Sequence, residues 1–134
     1  MIDINTYLIV FLTTLLIDGT WLGLSNQIYL KMYHKLLGKK PIFNLFSAFL
    51  AYVVLALGMT YFVVKPNLKQ SDTDLLTSAA IYGLVVYGVY NFTNHATLRG
   101  WESNVLIMDL TWGIIGSCLV AYVSKLIITN FKIT

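Results

Sequence analysis

Four long apolar runs, each about as long as a membrane crossing, constrain this chain more than any other feature. They fall at about residues 4–24, 42–64, 75–98 and 104–128. An α-helix rises 1.5 Å per residue, so about 20 apolar residues cross a hydrocarbon core of roughly 30 Å. Composition agrees with a lipid environment. The 134 residues are 57% hydrophobic and 11% charged, and so small a water-soluble domain has too much surface to cover with so few charges. The expected fold is all-α: one integral membrane domain over residues 1–134, a four-helix bundle with a short interfacial amphipathic helix between spans one and two.

The connections carry the remaining signals. Residues 25–41 are polar and basic, yet Ile28, Met32 and Leu36, with Tyr29 and Tyr33, recur at helical spacing, which predicts the interfacial helix. Its lysines, Lys31, Lys35, Lys39 and Lys40, suit either topology control or contact with anionic lipid. Lys65-Pro66-Asn67 stops the second run, and Ser71 followed by Asp74 marks the start of the third helix. Trp101 and several tyrosines at run ends read as interface anchors. The loop after span one holds four of the nine Lys and Arg residues, which places it in the cytoplasm and both termini on the opposite side. The full tally behind that orientation is five to four. Met1-Ile2-Asp3 lacks the positive start of a signal peptide and no small-residue cleavage site follows, so the first run is kept as a span. The net charge of +3 does not imply nucleic-acid binding, because no basic stripe alternates with exposed aromatics. Cys118 is a lone cysteine in an apolar run, without an internal disulfide partner, and reads as a packing residue.

The polar residues inside the spans are unevenly placed. Threading four spans back and forth puts the end of span one, the end of span three and the start of span four on the same side. Asp18 lies near the first of these ends, Asn91, Asn94, His95 and Arg99 near the second, and Asp109 near the third. All therefore share one half of the membrane. Ionisable residues within a span are costly and face the bundle interior or a wet cavity. Asn91, Asn94 and His95 are spaced i, i+3, i+4, and Arg99 extends their face by a turn. A carboxylate pairing with Arg99 or His95 would offset part of its desolvation cost. Asp18-Gly19-Thr20-Trp21 and Asp109-Leu110-Thr111-Trp112 share the pattern Asp-x-Thr-Trp on antiparallel spans, so Trp21 and Trp112 join the candidate set. An inverted repeat of this kind is a transporter feature, although three matching positions also arise by chance.

Each polar residue has a bland reading as well. The carboxylates could bind protons, cations or a polar substrate group, or they could belong to a network that fixes helix register. His95 could titrate near neutral pH, but a lone histidine is more often a packed, hydrogen-bonded residue. His34 belongs to the basic segment at headgroup level. A metal site is disfavoured because membrane metal centres of the di-iron type need many histidines and this chain has two. Neither a Gly-rich phosphate loop nor a Ser-His-Asp signature is present, and no cofactor is implied. Gly19 and Gly23, and Gly113 and Ser117, have the spacing that permits close helix approach, within the chain or between copies. Asn91-Phe92-Thr93 matches a glycosylation triplet but lies inside a span.

Several of these stretches together carry a resemblance. Asp18-x-x-Trp21-Leu22-Gly23, Tyr90-x-x-Thr93-Asn94-x-Ala96-Thr97-Leu98-Arg99-Gly100-Trp101 and Asp109-x-x-Trp112-Gly113 resemble the domain-of-unknown-function 2177 family, as does the Tyr- and Lys-rich segment at residues 29–38. The resemblance spans nearly the whole chain and implies a small membrane protein without an assigned activity. The family pattern has an acid where this chain has Asn91, which implies one charge fewer in this site.

Three functions are compatible with these residues. The first expectation is a small oligomeric transporter or channel-like protein, because four spans enclose little volume alone. The second is a membrane enzyme or accessory factor in lipid metabolism, with acid–base work near the interface. The third is a structural subunit of a membrane complex.

Overall fold

The computed structural model describes residues 3–133, and Met1, Ile2 and Thr134 lie outside the described residues. Within them the chain forms four long helices: α1 (Ile4–Leu37), α2 (Leu45–Asn67), α3 (Asp72–Thr97) and α4 (Ser103–Asn130). All four are long and apolar enough to span a membrane. Large apolar side chains on their outer faces, such as Leu16, Phe46, Val85 and Ile107, are exposed, as lipid-facing residues are.

Local chemistry sets the helix ends. Asp3 caps α1, its carboxylate accepting the Thr6 amide at 2.9 Å. Asn44 does the same for α2 through the Ser47 amide, and Ser71 for α3 through the Asp74 amide, as the sequence predicts for the third helix. Gly38 ends α1 in the left-handed conformation (φ 67°), with its N–H on the His34 carbonyl.

The expected interfacial helix is not a separate element. It is the last third of α1, which runs for 34 residues, or roughly 51 Å at 1.5 Å per residue. Residues 24–37 contain neither glycine nor proline, so nothing breaks the helix before Gly38. The face expected to lie on the membrane packs within the protein. Met32 is fully buried, and Tyr29, Tyr33 and Leu36 pack with it against Trp101, Val105 and Leu106. Trp101, expected at the headgroup level, is turned inward, edge-on to Tyr33 and Tyr90.

The main core joins α1, α2, α3 and α4 through Val10, Ala56, Val63, Leu75, Val120 and Ile128, with half-buried Cys118 packed against it. Two details govern how α2 and α3 sit. A side chain at Gly83 would strike the Gly113 carbonyl, so α3 and α4 meet backbone to backbone at the place where Gly113 and Ser117 lie. Gly19 and Gly23 face open space. In α2 the residues Met59–Val64 form a π-helical segment, preceded by Gly58, whose missing side chain makes room for the Tyr82 hydroxyl. Tyr82 donates to the Leu55 carbonyl at 2.8 Å. Pro66 does not stop α2 immediately; the helix carries on to Asn67.

Candidate functional site

Asp18, on α1, is half-buried and accepts three side-chain hydrogen bonds. Tyr52 of α2 donates at 2.5 Å, the Trp112 indole of α4 at 2.7 Å and Tyr87 of α3 at 3.2 Å. All four helices thus converge on one carboxylate. Asp109, on α4, is 8% exposed and accepts from Tyr29 and from the Asn91 side-chain amide, both at 2.5 Å.

The two centres are linked by a tryptophan pair. Trp21 and Trp112 stack with centroids 4.5 Å apart and planes within 5°. Trp112 reaches Asp18 directly, while the Trp21 indole donates to the Tyr29 hydroxyl at 3.3 Å, and Tyr29 donates to Asp109. Each tryptophan therefore serves the aspartate of the opposite helix. The shared Asp-x-Thr-Trp pattern has a matching local geometry: Thr20 and Thr111 both turn outward and return their hydroxyls to the carbonyl four residues earlier.

Electrostatically the pair is unusual. Lys35 pairs with Glu102 and Lys125 with Asp72, and neither of these ion pairs includes Asp18 or Asp109. The expected pairing with Arg99 or His95 does not form. Arg99 lies beyond the end of α3 and is exposed, and His95 is exposed with its Nε2 3.3 Å from the Ser103 hydroxyl. Asn94 is half-buried and outside the hydrogen bonds made by the two carboxylates. Asn91 alone of that polar face is fully buried, because it points at α4. Its amide also donates to the Tyr87 carbonyl at 3.0 Å, while its Oδ1 has no hydrogen-bond partner.

Both carboxylates line a cleft of about 720 Å³ bounded by α1, α2 and α3. Its walls are mainly apolar and aromatic, with Tyr33, Tyr52, Tyr87, Tyr90 and Trp101 among them. Its rim residues Leu22, Phe43 and Val54 are exposed, so the cleft opens sideways towards lipid. Asp18 also touches a second cavity of about 20 Å³ in the bundle interior, beside Thr14 and Ser117, which is room for one water molecule.

The tyrosines are what sequence reasoning missed. Tyr29, Tyr52 and Tyr87 supply three of the five bonds to the carboxylates. Their signal was present: a tyrosine deep in an apolar run needs a partner for its hydroxyl.

Comparison with known families adds one finding. The sequence pattern of a family described as predicted membrane protein, domain of unknown function 2177, matches residues 3–126. The chain belongs to that family. The match includes every helix that contributes to the two carboxylates, so the Asp18 and Asp109 centres lie within the family's shared region. No curated protein and no solved structure matches the chain.

Proposed function

We propose that this protein is a small membrane transporter whose binding centre is the Asp18–Asp109 pair. The observation that carries the reading is the placement of two carboxylates on the wall of an intramembrane cleft, with five neutral donors and, among the described residues, no cationic partner. A carboxylate at membrane depth is costly, and one built only to lock helices together is better offset by a lysine or arginine. Neutral donors hold the carboxylates in place and leave their charge free to take a proton or a cation. Such groups mark ion and substrate pathways in membrane proteins.

The cleft falls within the roughly 300–1,000 Å³ of ordinary ligand sites, so a single chain provides the binding volume. Association of copies then serves the route across the membrane rather than the site. Exposed Lys31, Lys39 and Lys40 suit contact with anionic headgroups, whereas Lys35 is engaged with Glu102. The sideways opening favours a second reading, a lipid-handling enzyme or accessory factor, in which an amphiphile enters from the bilayer and the acids act on its head.

The test is proton movement in vesicles reconstituted with the purified protein and loaded with a pH-sensitive dye. With a pH step imposed, the wild type is expected to dissipate the gradient faster than empty vesicles, and Asp18→Asn to cut that excess several-fold while leaving it measurable. Equal rates for wild type and empty vesicles contradict proton transport and leave the lipid-handling reading, and an unaffected Asp18→Asn variant contradicts the assignment of the binding centre.

A further inference from the structure

We propose that the cleft binds a lipophilic organic cation, its positive charge facing Asp18 and Asp109 and its apolar surface packed along α2. The inference rests on the reading of the pair as a binding centre and names the class of ligand.

Charge decides the sign. Among the described residues, Asp18 and Asp109 are the only Asp, Glu, Lys, Arg or His residues lining the cleft. An anionic head would meet two carboxylates and no cation. A neutral apolar molecule would leave the carboxylates desolvated without return. A cation answers both, and the acceptor capacity for it exists. An ionised carboxylate offers about four lone-pair sites. Asp109 uses two of its sites and Asp18 uses three.

Shape and surface decide the rest. A bare or hydrated metal ion would use a small part of 720 Å³, and among the described residues no three His, Cys, Asp or Glu side chains converge. The walls are instead apolar and aromatic. Tyr52, Tyr87 and Tyr90 border the carboxylates, and ring faces attract organic cations most strongly where water is excluded. The exposed apolar rim lets such a molecule arrive from the bilayer, where lipophilic cations concentrate.

Tetraphenylphosphonium and tetraphenylborate provide the test, since they match in size and shape and differ in charge. Binding of each is measured by equilibrium dialysis against the full-length protein in discs of uncharged phosphatidylcholine, with empty discs as the partition control. The expected result is saturable binding of the phosphonium only, weakened about tenfold or more in Asp18→Asn and in Asp109→Asn. Partition no greater than in empty discs, equal saturable binding of the borate, or wild-type binding in both variants would overturn the proposal. Should the Asn variants fail to fold, Ala51→Phe decides. Ala51 lines the cleft away from the carboxylate bonds, so the added ring must weaken phosphonium binding, and unchanged binding overturns the proposal. Absent phosphonium binding alongside Asp18-dependent proton movement would sink the ligand class and leave the transporter reading standing. Failure of both measurements would sink both.

Discussion

Asp18 depends on donors from three other helices, and the tryptophan among them is the most informative to change. Trp112→Phe keeps a ring against Trp21 and removes the indole N–H that Asp18 accepts at 2.7 Å. A hydrogen bond to a charged group contributes about 1.5–3 kcal/mol, so thermal unfolding in lipid should show a loss of that size. A change below ~0.5 kcal/mol would mean that the bond carries little of the site's stability. At this scale the sequence was half legible. Asp18, Asp109, Trp21, Trp112 and Asn91 could be found because charge, amide and indole stand out against apolar runs. His95 and Arg99 stood out for the same reason and lie elsewhere, because distance along a helix does not say which way its last turn faces. The tyrosines were hidden because an interface anchor and a buried donor look alike in a sequence.

The helices make separable predictions of their own. Gly83 lies against the Gly113 carbonyl, so Gly83→Ala must push α3 from α4 at a cost of about 1–3 kcal/mol. Gly19→Ala has open space and should be neutral or stabilising by up to ~1 kcal/mol, since glycine is a poor helix former. Denaturation in mixed micelles compares the two, and a neutral Gly83→Ala would contradict the close approach. Asp3 gives a pH dependence. The Thr6 amide N–H, opposed by a smaller burial effect, holds its carboxyl below the ordinary 3.8. The folded helix thus binds the proton more weakly than the unfolded one. The contribution of the cap is full above that ordinary value and is lost as pH falls through the folded one. Exchange protection of the Thr6 amide should therefore fall with acid in the wild type and stay level in Asp3→Asn, which keeps an acceptor without the titration. Helix number and the start of α3 were legible because span length and Ser71 act locally, whereas the caps at Asp3, Asn44 and Gly38 emerged only with the structure. The inward packing of the last third of α1 was not legible, because the surface that receives Met32 and Tyr33 belongs to residues 101–106, far along the chain.

As a whole the molecule is a bundle with one filled half and one open half. The core around Val10, Val63 and Val120 closes one end, while α1, α2 and α3 leave a cleft at the other, where both acids lie. The π-helical segment at Met59–Val64 belongs to the filled half, with Met59, Val63 and Val64 in its core, and α2 runs from it to the cleft-lining stretch at residues 48–55. The sequence placed the polar residues in one half of the membrane by counting crossings alone. It could not reveal the cleft, whose volume depends on the angle at which α2 leaves the core. The central claim is that Asp18 and Asp109 act as one site, joined through Trp112, Trp21 and Tyr29. A double-mutant cycle on proton movement tests it most directly. In reconstituted vesicles the rates of wild type, Asp18→Asn, Asp109→Asn and the double variant are compared. One site predicts that the double variant is no slower than the slower single variant. Losses that multiply across the two positions would show two independent groups and contradict the account.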